Sequence, residues 1–163
     1  MLRNITIFDA QEIQSISNFE LGYDVNLDIV KKQIEKLTND NKHNIIIGFE
    51  NEQTRKIIGF VHAELYESLY MDTGLNILGL AVNSNFQGQG IGKKLMNSIE
   101  DYALKNNISY IRLNSNVRRI EAHKFYESIG YVCDKTQKLR NLETQKLRNL
   151  GTHLSFFVLS LIP

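Results

Sequence analysis

The chain has 163 residues, 42% of them hydrophobic and 23% charged, with a formal charge of +1. That length suits one domain, residues 1–163, with a real core, and the near-neutral balance lacks the basic footprint of a nucleic-acid binder. The lone cysteine, Cys133, excludes an intrachain disulfide and points to a reducing compartment, the cytoplasm. Met1–Asp9 lacks the apolar core of a signal peptide. The apolar run Leu154–Ile162 falls well short of the ~20 residues that span a bilayer, so no membrane partner is expected. His43, His62, His123 and His153 have no metal-ligand spacing, and no metal is expected.

In chain order, Asn4–Phe8 alternates weakly, as a first strand would. Asp9-Ala10-Gln11-Glu12 has the form of a capping box, so a helix is expected from there to about Glu20. Gly22-Tyr23-Asp24 reads as a loop. Ile29, Val30, Ile34 and Leu37 suit a second amphipathic helix ending near Asn39. His43–Phe49 and Lys56–Leu65 read as a hairpin turned by Glu50–Gln53, and Gly74–Val82 as a buried strand.

Ile91, Leu95, Ile99 and Ala103 recur every four residues and mark a helix from Gly90 to about Lys105. Ile108–Leu113 is a short strand. Ala122, Phe125, Tyr126 and Ile129 share one face of a helix that Gly130 can end. Tyr131-Val132-Cys133 opens another strand, in which Cys133 is expected as a buried structural thiol. The expected class is α/β (α+β): a mixed, mostly antiparallel sheet flanked by helices.

The tail, residues 135–163, departs from this pattern. Thr136–Leu142 is repeated identically as Thr144–Leu150. Leu139, Leu142, Leu147 and Leu150 share a helical stripe, so an atypical short amphipathic helix is expected there, followed by a strand over His153–Leu161. That strand is apolar on both faces, which demands burial in the sheet or against another chain; a homodimer through it is one expectation.

The chemistry concentrates in Val82–Leu95. A strand enters a loop with three glycines in five residues, Gly88, Gly90 and Gly92, and an amphipathic helix leaves it. Such a loop turns backbone N–H groups toward a ligand, and the helix start adds unpaired donors, which together make an anion site. A Walker loop fails because Lys94 follows Gly92-Lys93 and Gln87 stands five before Gly92. A dinucleotide fingerprint fails because Lys93 or Leu95 occupies its last glycine position.

The loop does fit Gln/Arg-x-x-Gly-x-Gly/Ala through Gln87, Gly90 and Gly92. Ala122-His123-Lys124-Phe125-Tyr126-Glu127-Ser128-Ile129-Gly130-Tyr131 fits Ala-x-x-x-Tyr-x-x-x-Gly-Phe/Tyr. Together these resemble the GNAT superfamily of acetyl-CoA-dependent N-acetyltransferases, over roughly residues 1–134, whose β-α-α-β-β-β-α-β-α-β order matches as well. The resemblance implies transfer of an acetyl group from acetyl-CoA to a primary amine of a small molecule, by direct attack in a ternary complex. It further implies that Gln87, Gly88, Gln89, Gly90, Ile91, Gly92 and Lys93 cradle the pyrophosphate. Backbone groups of Leu80, Ala81 and Val82 would meet the pantetheine, as would Asn116 after the fifth strand, and Tyr126 would protonate the departing thiolate. Arg119 stands where the family often has asparagine.

The general base is open among Glu64, Glu67, Asp72 and none; with Glu20 and Asp24 these acids would form a mouth suited to a cationic amine. The alternatives are a non-catalytic acyl-CoA-binding module, acetylation of a protein amine, and an assembly protein built on the C-terminal strand.

Overall fold

A computed structural model describes residues 1–138 and 155–161. They form two compact units, Met1–Ile111 and Arg112–Pro163.

The first unit is an antiparallel meander of β1 (Leu2–Asn4), β2 (Asn44–Glu50), β3 (Ile57–Ser68) and β4 (Met71–Val82), paired in that order. Between β1 and β2 run α1 (Ala10–Ile16), a π-helical turn (Ser17–Leu21) and α2 (Leu27–Asn39); α3 (Ile91–Lys105) follows β4. Successive strand residues point to opposite faces. Phe60 of β3 and Ala81 of β4 pack with Ile16, Leu21, Val30 and Ile34 on the α1/α2 side. Val61 and Ala63 face the other way, toward α3, where Leu95, Met96 and Ile99 are fully buried. Each of these three large side chains contributes about 1.5–3 kcal/mol by leaving water.

Two helix details differ from the sequence reading. The seam of α2 is Leu27, Val30 and Ile34, whereas Ile29 is 52% exposed; at 100° per residue Ile29 lies roughly 200° round from Leu27. The capping box at Asp9 does not form. The Asp9 carboxylate instead accepts from the Thr6 N–H (2.8 Å) and hydroxyl (3.0 Å) and from both terminal nitrogens of Arg3 (2.8 and 2.7 Å). The Arg3 Nε donates to Glu50, which also meets Arg55 at 2.8 Å. Asp9 and Glu50 are 6% and 3% exposed, so one guanidinium serves two buried carboxylates.

The boundary between the units falls within β5 (Tyr110–Asn116). The second unit continues with α4 (Ile120–Ser128), β6 (Val132–Lys138) and β7 (Ser155–Leu161); β6 and β7 pair antiparallel, Val132 opposite Ser160 and Lys138 opposite Ser155. Thr136–Lys138, the start of the first repeat, are therefore strand. Ladder pairing overrides a helical pattern too short to stand alone. Residues 139–150, which carry the four leucines, lie outside the described residues. Cys133 is exposed, not buried, because it is the inward-facing Tyr131, 2% exposed, that anchors this stretch. The architecture is a mixed, mostly antiparallel α/β fold flanked by helices.

Arg3→Met should lower the unfolding free energy by about 3 kcal/mol in urea titration, since it strands two buried carboxylates. Burial pushes the Asp9 carboxyl up, but the Arg3 and Thr6 donors outweigh this and hold it below its ordinary value. Its contribution is therefore complete above the unfolded value of about 3.9 and is lost as pH falls through the folded value. Asp9→Asn should flatten that acid limb of stability.

Candidate active site

The long β3–β4 ladder contains one irregularity that matters for the site. His62 stands opposite Gly79 and Ala63 opposite Ile77, so Leu78 has no partner in β3 and bulges. Beyond the bulge the alternation is regular. Asn83 donates its N–H to the Ile58 carbonyl (2.9 Å), so its backbone points at β3. Alternate residues turn the same way: Ala81 is committed to β3, while Leu80 and Val82 direct their N–H and C=O groups to the opposite edge. Of the three expected backbone contacts, Ala81 is thus already spent on β3 and the Val82 carbonyl on Gln87 Nε2, while Leu80 and the Val82 N–H turn away from β3.

The loop after β4 is braced from within and from afar. Asn83 Oδ1 accepts from the Asn85 N–H (3.0 Å), which starts a single 3₁₀ turn, Ser84–Phe86. Gln87 Nε2 donates to the Val82 carbonyl (2.8 Å) and to Glu20 (3.3 Å), and the Ser84 N–H also donates to Glu20 (2.8 Å). The Gln87 side chain therefore shapes the loop, leaving its backbone to face a ligand. From the π-helical turn, Glu20 anchors a loop 64 residues later. An open recess of about 520 Å³, lined by Ser15, Phe19, Glu20, Asn83, Ser84 and Asn85, adjoins the loop.

Gly88 and Gly90 both have φ of +75°, and a Cβ built on either would meet no atom within 4 Å. Backbone conformation, not crowding, therefore selects glycine here. Gly90 is the residue before α3 and brings no capping side chain. The first-turn N–H groups of Ile91, Gly92 and Lys93 have no intrahelical acceptor, and the helix dipole adds positive potential at the same place. Lys94 lies over the Phe49 ring at 5.6 Å, while Lys93 is exposed beside the opening. Gln89 is exposed between the two glycines. These residues fit a pyrophosphate: several N–H donors, a cation and no side chain in the concavity.

In the second unit Tyr126 is 8% exposed. The end of α4 fixes its place. Gly130, at φ +98°, donates its N–H to the Glu127 carbonyl (3.0 Å), and Tyr131 donates to the Tyr126 carbonyl (3.0 Å). This is a Schellman cap, with the accompanying apolar contact supplied by the Tyr126 and Tyr131 rings at 5.9 Å. Phe125 packs edge-on at 5.3 Å. Burial pushes the Tyr126 phenol up to about 12, with Arg119 pulling the other way. Asn116 closes β5: its Oδ1 accepts from the Arg118 N–H (2.9 Å) and its carbonyl from Arg119 (2.9 Å), so it forms the turn into α4. Ser115 beside it is buried.

Of the acids weighed as a base, Glu67, Asp72 and Asp24 are exposed. Glu64 alone is built into the sheet, accepting from Asn76 Nδ2 (3.0 Å). The bulge at Leu78 and the reach of Glu20 to the loop had no signal in the sequence. Among the described residues, no group of three or more His, Cys, Asp or Glu is arranged to hold a metal ion, and no helix is long and apolar enough to cross a membrane.

Replacing Glu20 with alanine should free the Ser84 amide. By hydrogen exchange that amide should become at least about tenfold faster, the equivalent of ~1.4 kcal/mol.

Comparison with known proteins agrees with this geometry. Human N-acetylaspartate synthetase is 33% identical over 75 residues, covering 46% of this chain and 24% of that protein. The chain thus matches only about a quarter of the length of such curated relatives. Among solved structures, Arabidopsis thaliana NAA60 in complex with a bisubstrate analogue superposes with a TM-score of 0.77 at 16% identity, over 99% of this chain and 97% of that one. Ribosomal-protein-alanine N-acetyltransferase from Brucella melitensis gives 0.76 at 17%, over 100% and 99%. Residues 9–131 match the acetyltransferase (GNAT) family, and the chain belongs to that family.

Proposed function

We propose that this protein, as one domain over residues 1–163, transfers an acetyl group from acetyl-CoA to a primary amine of a small molecule, by direct attack in a ternary complex. The observation that carries the reading is the loop Gln87–Lys93: two open, positive-φ glycines run into the uncapped first turn of α3. Its N–H groups and Lys93 hold the pyrophosphate. Backbone groups of Leu80 and the Val82 N–H, which turn away from β3, serve the pantetheine amides, and one of these N–H groups polarises the thioester carbonyl, where charge builds during transfer. Acetyl-CoA supplies the activated acyl carbon and a thiol as leaving group.

Tyr126 is the proton donor in this reading. Burial pushes its phenol up to about 12, so Tyr126 meets the developing thiolate in its protonated form and donates to it as the C–S bond breaks. Asn116 has its Oδ1 engaged, which leaves its Nδ2 as the donor for pantetheine.

The likeness to N-acetylaspartate synthetase favours a small acceptor. The folds shared with N-terminal acetyltransferases favour a protein amine less strongly, since they rest on shape at 16–17% identity. The exposed, single thiol of Cys133 suits a reducing cytoplasm. A homodimer through β7 has only the apolar sequence in its favour, because β7 lies between β5 and β6 in the sheet order.

The test is free-thiol release from acetyl-CoA against amino acids, polyamines, aminoglycosides and peptides with free N-termini. Turnover with a small amine is expected. A null across the panel, with acetyl-CoA still raising the melting temperature, would leave a binding module instead. Tyr126→Phe should cut turnover at least about tenfold, ~1.4 kcal/mol of transition-state stabilisation, with little change in acetyl-CoA affinity; unchanged turnover removes Tyr126 from the mechanism. Gly90→Val should abolish the melting shift given by acetyl-CoA, because a β-branched residue resists positive φ.

A further inference from the structure

A polar row crosses the sheet on its α1/α2 face. Phe60 of β3 points to that face, and the alternation of β3 carries His62 and Glu64 to the same side. Register sets Asn44 of β2 and Asn76 of β4 on either side of Glu64. Tyr66 follows Glu64 on the same face of β3, and apolar or small residues adjoin the row. Ile46 and Gly79 flank His62, Leu21 of the π-helical turn approaches Gly79, and Ile13, Ile16, Val30 and Ile34 come from α1 and α2. Half-buried polar groups in such surroundings are costly unless they serve a purpose.

The hydrogen bonds assign the states of these groups. The Asn44 Oδ1 can only accept, so the His62 Nε2, 3.1 Å away, carries the hydrogen, and Nδ1 keeps its lone pair. Asn76 Nδ2 donates to Glu64 at 3.0 Å, which leaves the Asn76 Oδ1 buried without a donor. That orphan costs on the order of 1–3 kcal/mol, and its return is a fixed carboxylate. His62 stands opposite Gly79, next to the bulge and one residue before Leu80, whose backbone groups turn away from β3. No side chain at position 79 fills the space across from the imidazole.

We infer that Glu64 and His62 form the acceptor recess of this enzyme, Glu64 receiving the substrate ammonium and His62 taking its proton. The inference deepens the proposed function and rests on it for the acyl donor. The ammonium gives one proton to Nδ1, and the neutral amine attacks the acetyl carbon. A C–N bond forms, the C–S bond breaks, the sulfur leaves with the electron pair, and the second proton of the attacking nitrogen passes to that thiolate to give the free thiol of CoA. The imidazolium then returns its proton to solvent. Asn76 is a positioning residue for Glu64. The acceptor class is a small alkylamine bound as its ammonium, which the carboxylate of the row receives. Burial lowers the affinity of His62 for a proton and Glu64 partly restores it. Glu64 is the charge that acts on the imidazole from β3, while β2 and β4 present Asn44, Ile46, Asn76 and Gly79, all neutral. The base form therefore prevails at neutral pH, and acidification removes it.

The experiment pairs NMR of the His62 ring with kinetics, using butylamine as probe and aniline as an acceptor that is already neutral. With CoA bound in place of acetyl-CoA, saturating butylamine should shift the His62 ring resonances, and Glu64→Gln should weaken that binding at least about tenfold. In turnover, His62→Gln should lower kcat for butylamine about a hundredfold and for aniline only a few-fold, with the melting shift given by acetyl-CoA unchanged. Asn76→Leu should raise KM for butylamine without lowering the melting temperature. A His62 resonance indifferent to butylamine, or equal losses with both amines, overturns the inference. An inactive wild type whose His62 still responds to butylamine would instead sink the catalytic reading and keep the recess.

Discussion

The β3–β4 ladder is the constraint on which the first unit depends. Its register decides which residues face α1 and α2 and which face α3, and with a period of two any slip would exchange the two cores. The bulge at Leu78 is tolerated because regular pairing resumes on both sides of it. Beyond it Leu80 and Val82 turn their backbone groups away from β3, immediately before the glycine loop.

The loop illustrates how stability is traded for a binding surface. Gly88 and Gly90 cost entropy and the start of α3 goes uncapped, so the segment is not held by its own secondary structure. Glu20 supplies what is missing, accepting from Ser84 and Gln87. Through that carboxylate, the π-helical turn after α1 and the glycine loop before α3 are joined by hydrogen bonds. Any movement of the π-helical turn would be felt at the loop.

A different economy operates around Tyr126. One glycine, at φ +98°, allows the cap that brings Tyr131 against Tyr126, and burial pushes the phenol up to about 12. The spacing Tyr-x-x-x-Gly-Tyr is therefore legible physically: it is the sequence of a Schellman cap whose apolar contact is made by two tyrosines. Arg119, which departs from the family pattern, acts on that phenol only weakly and from an exposed position.

By itself the sequence determined the order of elements, the buried face of α3, the glycine loop and the Tyr126–Tyr131 spacing, because each depends on residues within a few positions of one another. Periodicity, turn chemistry and capping are local, and local rules can be read along a chain. What it misjudged was also local in appearance: Asp9 reads as a cap until Arg3 claims it, and Thr136–Lys138 read as helix until β7 pairs with them. Only the tertiary structure decided the bulge at Leu78, the link from Glu20 to Ser84 and Gln87, and the row of Asn44, His62, Glu64 and Asn76. These join residues 12 to 67 positions apart, and strand register, which no single segment encodes, is what brings them together.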